Sequence, residues 1–263
     1  MIQKTVSLME GMNFAGRVAL VTGGSRGIGK AIAVRLAEAG AQIVINYLHD
    51  EAAANETTAG IAQQFNVKAV AIRADISVVT EAKSLVEAVV GNFGRLDILA
   101  CNAGIWEGAA VEEITEDLWD RVLDTNLRGT WAICRAAVPV LKSQGWGRIL
   151  IVSSTAGQRG EANFSNYAAS KGGQISFAKS LAVEVGQYGI TVNAVAPGWV
   201  DTEMTADTLN DGQFRRSVEQ SIPVGRIASP DDIALPVLFL CSEWARHITG
   251  EVLNINGGAV LCG

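Results

Sequence analysis

Tyr167 and Lys171 stand four residues apart in a stretch with helical patterning, so both side chains rise from one face, one turn apart. A phenol titrates at about 10 in water, and a neighbouring ammonium favours its anion, which moves the phenol toward acid/base work at neutral pH. The spacing alone also describes an ordinary helix-surface pair, so the setting decides. Ser153-Ser154 end one β-branched run, Asn102-Ala103-Gly104 end another, and Asn126 falls within a long helical pattern. In open α/β sheets, residues at the carboxyl ends of strands meet at one edge, where active sites gather.

A second group of residues should meet them there. Thr22-Gly23-Gly24-Ser25-Arg26-Gly27-Ile28-Gly29 follows an apolar run and leads into a helix with Ala31, Ile32 and Leu36 on its apolar side. Glycines permit a tight turn and close approach of backbone to phosphate, and a helix N-terminus offers free N–H groups and a positive dipole to a pyrophosphate. The spacing is Gly-x-x-x-Gly-x-Gly rather than Gly-x-Gly-x-x-Gly, but a strand before and a helix after make it a dinucleotide-binding turn. The second strand ends in Asn46-Tyr47-Leu48-His49, where an NAD-preferring site usually carries an acid for the ribose hydroxyls. Without that carboxylate, and with Arg26 able to clamp a phosphate, the expected cofactor is NADP, with NAD the alternative. The plainer reading of Arg26 is a solvated surface residue.

The elements that position these residues are short β-branched runs alternating with longer amphipathic ones. Val18 to Thr22, Gln42 to Tyr47, Val67 to Arg73, Leu96 to Cys101, Arg148 to Ser153, Thr191 to Ala196 and Val252 to Ile255 read as strands. Helical patterns cover Gly29 to Ala39, Glu51 to Phe65, Glu81 to Phe93, Glu116 to Ser143, Tyr167 to Gln187 and Asp231 to Cys241. This βαβ alternation predicts a single-domain, doubly wound Rossmann fold: a seven-stranded, mostly parallel sheet with helices on both faces. Ser229 caps the last helix with Pro230 behind it, which makes Asp231 and Asp232 structural acids at a dipole end. Residues 1–15 read as an N-terminal extension, residues 16–263 as the catalytic domain, and the polar stretch 198–223 as a candidate lid.

The 263 residues are 49% hydrophobic and 18% charged, with a net charge of −6 and no basic run, which argues against nucleic acid. No apolar run approaches the roughly 18 residues that span a bilayer, and the first fifteen residues lack a signal-peptide core, so a cytoplasmic location is expected. Cys101, Cys134, Cys241 and Cys262 are widely spaced and, with only His49 and His247, form no zinc pattern; they read as buried thiols, and no metal is expected.

In order along residues 17–258 come Thr22-Gly-x3-Gly-x-Gly29, Asp75-Ile76, Asn102-Ala-Gly104, Asn126, Ser154, Tyr167-x3-Lys171 and Pro197-Gly-x3-Thr202. In this set the chain resembles the short-chain dehydrogenase/reductase family. The resemblance implies that Tyr167 passes the proton and Ser154 orients the substrate oxygen. It implies that Lys171 holds the nicotinamide ribose and lowers the Tyr167 pKa, and that Asn126 anchors a proton-relaying water. It puts Asp75 and Ile76 at adenine and Asn102, Ala103 and Gly104 along the adenosine side. Gly23, Ser25, Arg26, Gly27, Ile28 and Gly29 would line the phosphates, Tyr47 would join the cofactor site, and Pro197, Gly198, Val200 and Thr202 would flank phosphates or carboxamide. Cys101 replaces the family's usual first Asn, a change expected to matter little.

Within the family the chain looks most like 3-oxoacyl-[acyl-carrier-protein] reductases, although two positions that carry basic docking residues there are Gly145 and Tyr188 here. An acidic carrier needs a positive patch, so a free ketone, a sugar or a coenzyme A thioester is an open alternative, and a non-catalytic dinucleotide sensor a remote one. Trp106, Phe164, Trp199, Met204 and Phe214 would give the cleft apolar walls. A homotetramer is implied, with Ala132, Ile133, Ala136 and Ala137 and with Ala178, Leu181, Ala182 and Val185 facing either symmetry mates or their own sheet.

Overall fold

A computed structural model describes residues 10–262. Seven strands form one sheet: β1 (Val18–Thr22), β2 (Gln42–Tyr47), β3 (Ala69–Arg73), β4 (Ile98–Cys101), β5 (Gly147–Val152), β6 (Ile190–Pro197) and β7 (Val252–Ile255). Their order is β3-β2-β1-β4-β5-β6-β7, and every pairing is parallel. The central strands are buried on both faces, which is why they read as continuous apolar runs rather than alternating ones. The chain thus has the doubly wound Rossmann fold.

Among the described residues ten α-helices accompany the sheet: α1 (Gly27–Glu38), α2 (Glu51–Phe65), α3 (Val79–Phe93), α4 (Glu116–Leu123), α5 (Gly129–Gln144), α6 (Ala156–Arg159), α7 (Ser165–Val185), α8 (Ala206–Leu209), α9 (Gly212–Ser221) and α10 (Pro230–Cys241). On one face, Ile32, Ala33, Leu36 and Ala37 of α1 pack with Ile233, Ala234, Val237 and Leu238 of α10 over Ile43 and Ile98. On the other, α3, α5 and α7 close over Leu20, Leu99 and Ile149. Ser229 and Asp232 make a reciprocal capping box with Pro230 at the first turn, and Asp231 is bound by Arg35, so both acids are structural. The stretch 198–223 holds α8 and α9, tied down through Leu209, Val218, Ile222 and Ile227.

Two expectations are corrected. The helix read over 116–143 is present but contains a wide π turn, Asp124–Arg128, between α4 and α5, where Thr130 Oγ1 and Gln174 Nε2 donate to the Asn126 carbonyl at 2.7 and 2.8 Å. Of the small apolar residues of α5 and α7, Ala132, Ile133, Ala137, Ala178, Leu181, Ala182 and Val185 are buried in the core beneath the two helices, and Ala136 is partly covered. Cys101, Cys134 and Cys241 are buried, but Cys262, beyond the last strand, is exposed. Among the described residues no helix is long and apolar enough to cross a membrane, and no three potential ligands cluster for a metal.

Candidate active site

The carboxyl ends of β1 and β4 are stitched together by Asn102. Its Nδ2 donates to the carbonyls of Thr22 and Gly23 at 3.1 and 3.0 Å, while its own N–H and that of Ala103 donate to Thr22 Oγ1 at 3.0 and 3.1 Å. The glycine turn starts above this knot. Gly27 has φ 53°, a region costly for any side chain, and a Cβ on Gly29 would sit 2.3 Å from the Gly23 carbonyl. The first turn of α1 has no side-chain cap and no acid, so its amides stay available to an anion. Arg26, extended and exposed, makes no ion pair among the described residues. These features fit a dinucleotide pyrophosphate.

Thr202 reaches this turn from the other side, with its methyl 3.4 Å from where a Gly27 Cβ would lie. Thr205 holds that loop by donating to the carbonyls of Val200 and Thr202 at 2.6 and 3.1 Å. At the edge beyond β2, Asn46 Nδ2 bonds the Ala74 carbonyl at 2.9 Å, and Tyr47 is buried in the α1-side core. Asp75 accepts from Ser77 N and Oγ at 2.9 and 2.6 Å, and Ile76 is buried beside Gly129.

Close packing of α6 on α7 brings the reacting groups together. A Cβ on Gly157 would lie 2.5 Å from the Lys171 carbonyl carbon, so only glycine lets the chain after β5 lie so near α7. Ser153 Oγ donates to the Lys171 carbonyl at 2.9 Å, and Ser154 Oγ accepts from Ala156 N at 3.1 Å. Ser154, Tyr167 and Lys171 then line one cleft of about 140 Å³ together with Ile28, Asn102, Gly104, Pro197, Gly198, Val200 and Thr202. Gly23, Ser25, Arg26, Gly27, Gly29, Ala103 and Asn126 lie behind or beside this lining, and Tyr47, Asp75 and Ile76 stand at the β2 and β3 ends.

Asn126 is fully buried at the π turn. Its Oδ1 accepts from Ile105 N at 2.8 Å, and its Nδ2 donates to the Ile105 carbonyl and to Ser170 Oγ, each at 3.0 Å. Lys171 Nζ donates to the Val152 carbonyl at 2.8 Å and lies 5.7 Å from the Tyr167 ring centroid. Burial lowers the ammonium to about 8. Burial also raises the Tyr167 phenol to about 12, with Glu161 adding to the rise and Ser154 opposing it. The expected lowering of Tyr167 by Lys171 is not seen here: desolvation dominates, and Lys171 turns its ammonium to the Val152 carbonyl.

Aromatic side chains wall the cleft. Trp106 stacks on Phe164 at 4.6 Å and meets Trp199 edge-on at 5.7 Å, and Trp199 meets Phe214 at 5.6 Å. Met204 also lines it. Sequence reasoning missed two participants. Gln174, three residues after Lys171 on the same helix face, braces the π turn; Glu161 lines the cleft, and only its place just after Gly160 and ahead of Tyr167 hints at it.

A glycine-turn dinucleotide cradle facing a Ser, Tyr and Lys set at the carboxyl edge of a parallel sheet defines an NAD(P)-dependent oxidoreductase acting on CH–OH or C=O groups, and the chain belongs to the short-chain dehydrogenase/reductase family. The sequence model described as enoyl-(acyl carrier protein) reductase matches residues 23–260. Among curated relatives, a 3-oxoacyl-[acyl-carrier-protein] reductase FabG of Staphylococcus aureus is 40% identical over 243 residues, covering 91% of this chain and 96% of that one. The Escherichia coli protein of the same name is 38% identical over 247 residues, covering 94% and 98%. Among solved structures, levodione reductase superposes with a TM-score of 0.90 at 33% identity, covering 94% of this chain and 98% of that one.

Proposed function

We propose that the protein reduces a ketone to a secondary alcohol with NADP(H), and that Tyr167 is its proton donor. The observation that carries this reading is the single cleft at the carboxyl edge of the sheet that holds the Tyr167 phenol together with Ser154 and Lys171. At neutral pH such a phenol is in the form needed to protonate the oxygen of a carbonyl being reduced. A bound nicotinamide would supply the hydride. Ser154 would hold the carbonyl oxygen, stabilising the developing alkoxide. Lys171 would bind the nicotinamide ribose, and Asn126, its side chain committed to Ile105 and Ser170, positions the backbone beneath Gly104. The cofactor contacts are Gly23, Ser25, Arg26, Gly27, Ile28 and Gly29 at the phosphates, with Asn102, Ala103, Gly104, Asp75 and Ile76 toward the adenosine side. Arg26, without an ion pair among the described residues, and the lack of an acid at the end of β2 support NADP over NAD.

The substrate most consistent with the curated relatives is a 3-oxoacyl thioester on an acyl carrier protein, in the cytoplasm. A second reading, a free ketone or sugar, is favoured by Gly145 and Tyr188 in place of basic docking residues and by the net charge of −6. Residues 198–223 would serve as the lid of a catalytic domain over 16–263, and the assembly would be a homotetramer, which sedimentation checks.

The test is cofactor consumption with NADPH and NADH against acetoacetyl-CoA, a carrier-protein β-ketoester and a panel of simple ketones and sugars. Tyr167→Phe should lose on the order of 100-fold to 10,000-fold in rate while still binding cofactor. Arg26→Ala should raise the KM for NADPH about tenfold, more than that for NADH. Turnover of thioesters supports the first substrate reading and turnover of free ketones alone the second. Tight cofactor binding with no turnover of anything would leave only a sensor.

A further inference from the structure

Glu161 is the only carboxylate lining the cleft among the described residues, and its placement is built rather than incidental. Gly160 at φ 79° releases the chain from α6, Phe164 N closes a turn back onto the Glu161 carbonyl at 3.2 Å, and Asn163 in that turn takes φ 64°, a left-handed conformation uncommon for a residue with a side chain. Gly108 packs against this turn so closely that a Cβ there would meet the Asn163 carbonyl at 2.2 Å. The turn thereby sets Phe164 against Trp106 and aims Glu161 into the same space as Tyr167, Trp106 and Trp199.

No ion pair holds the Glu161 carboxylate among the described residues. Burial pushes its pKa up from the ordinary value, and a hydrogen bond from the Trp106 side chain and the field of Arg159 oppose this. A carboxylate has more acceptor sites than one indole N–H fills, and with no cation paired to it a donor that enters the cleft gains a charge-assisted bond.

We propose that Glu161 is a specificity-determining residue that accepts a hydrogen bond from a donor group carried by the ketone substrate itself, either a hydroxyl or an ammonium. The proposal rests on the cleft being the ketone site. An apolar body lies against Trp106 and Trp199 while its donor reaches Glu161, and a substrate bearing a carboxylate at that position meets like charge and is turned away. Plain acyl chains bring no donor to Glu161 and are handled less well than donor-bearing ketones of the same size.

The experiment uses cyclohexanone and its hydroxyl-, ammonium- and carboxylate-bearing derivatives with the cofactor-loaded protein. It reads initial rates and, separately, binding through the fluorescence of the cleft tryptophans. Wild type should prefer at least one donor-bearing ketone over cyclohexanone by about tenfold in both readouts and disfavour the carboxylate. Glu161→Leu should erase that ratio. Glu161→Gln should keep a hydroxyl preference but lose an ammonium preference, which identifies the donor and guards against a merely unstable variant. A wild type with no preference, or a Glu161→Leu ratio equal to that of wild type, overturns the proposal. Binding preferences without turnover would sink the ketone-reductase reading while leaving Glu161 as the selector.

Discussion

The two edges of the sheet treat buried charge in opposite ways. At the amino edge the Asp97 carboxylate is wholly buried, yet it accepts from Val18 N at 2.9 Å, from Arg17 at 2.9 Å and from Arg95 at 2.7 and 2.6 Å. Burial alone would raise its pKa, but these bonds outweigh that and hold it below the ordinary carboxylate range. At the carboxyl edge the Tyr167 phenol and the Glu161 carboxyl are pushed up and the Lys171 ammonium is pushed down, so all three are driven toward neutral forms. Only the amino edge meets its buried group with directly bonded counter-charges. The amino edge is therefore a clamp, and the carboxyl edge holds desolvated groups ready for a ligand.

Replacing Asp97 by Asn tests the clamp and should have the largest effect on stability. The buried carboxylate bonds two guanidinium groups, and breaking such an arrangement costs on the order of 3 kcal/mol, read as a lower urea midpoint. Because the folded pKa of Asp97 lies below its unfolded value, its contribution is present above the ordinary carboxylate range and lost as pH falls through the folded value. Acid unfolding of the variant should be correspondingly flatter. A change below about 1 kcal/mol would mean that the two edges do not differ as described.

Lys171→Met tests the opposite edge and should stabilise. The folded pKa of about 8 lies below the ordinary 10.5, so the unfolded chain binds the extra proton, and wild-type stability from this group rises between about pH 8 and 10.5. At pH 7 the Met variant should gain roughly 2 to 3 kcal/mol from removing the buried ammonium, less what is lost with its bond to Val152. The gain should vanish by about pH 10.5, while reductase activity is lost at every pH. Tyr167 acts with the reverse sign, its stabilisation fading as pH rises from about 10 toward 12. A variant less stable than wild type at pH 7 would show that this edge is not held in a desolvated state.

The sequence showed one edge far better than the other. Strands β1, β2 and β7 and helix α2 have the boundaries read from the sequence, because apolar runs or a capped helix there end at turn residues. Tyr167, Lys171 and Ser154 were legible because strand ends and the four-residue helix spacing are local geometry. The π turn was not, since it depends on Gln174 competing for a carbonyl 48 positions away. Neither was Glu161, which is aimed by left-handed backbone at Gly160 and Asn163 rather than by any periodicity. Asp97 sits in Arg95-Leu96-Asp97, an unremarked strand entrance until Arg17, 80 positions away, folds beside it. The direction of the Tyr167 shift was missed for a related reason: spacing brought the ammonium near, but the Val152 carbonyl decided where it points.

Arg148 gives the finest division of the amino edge. It is 2% exposed and, unlike Asp97, poorly provided: its Nε has no partner, and Glu243 meets Nη2 at 3.1 Å while also accepting from Trp146 Nε1 at 2.8 Å. Trp146 is sandwiched between Arg17 and Arg148, whose guanidinium carbons lie 3.8 and 4.2 Å from its ring centroid. Burial lowers the Arg148 pKa despite Glu243 opposing it, and Nη1 donates to the Gly147 carbonyl at 2.8 Å. Glu243 is itself 36% exposed, and solvent screening limits what it adds. Glu243→Gln keeps the acceptor and removes the charge, and should cost only about 1 kcal/mol in urea unfolding. A loss matching that of Asp97→Asn would make Glu243 the indispensable partner and extend the clamp across the whole amino edge. A negligible loss would confine it to the Asp97 end and assign the holding of Arg148 to Trp146.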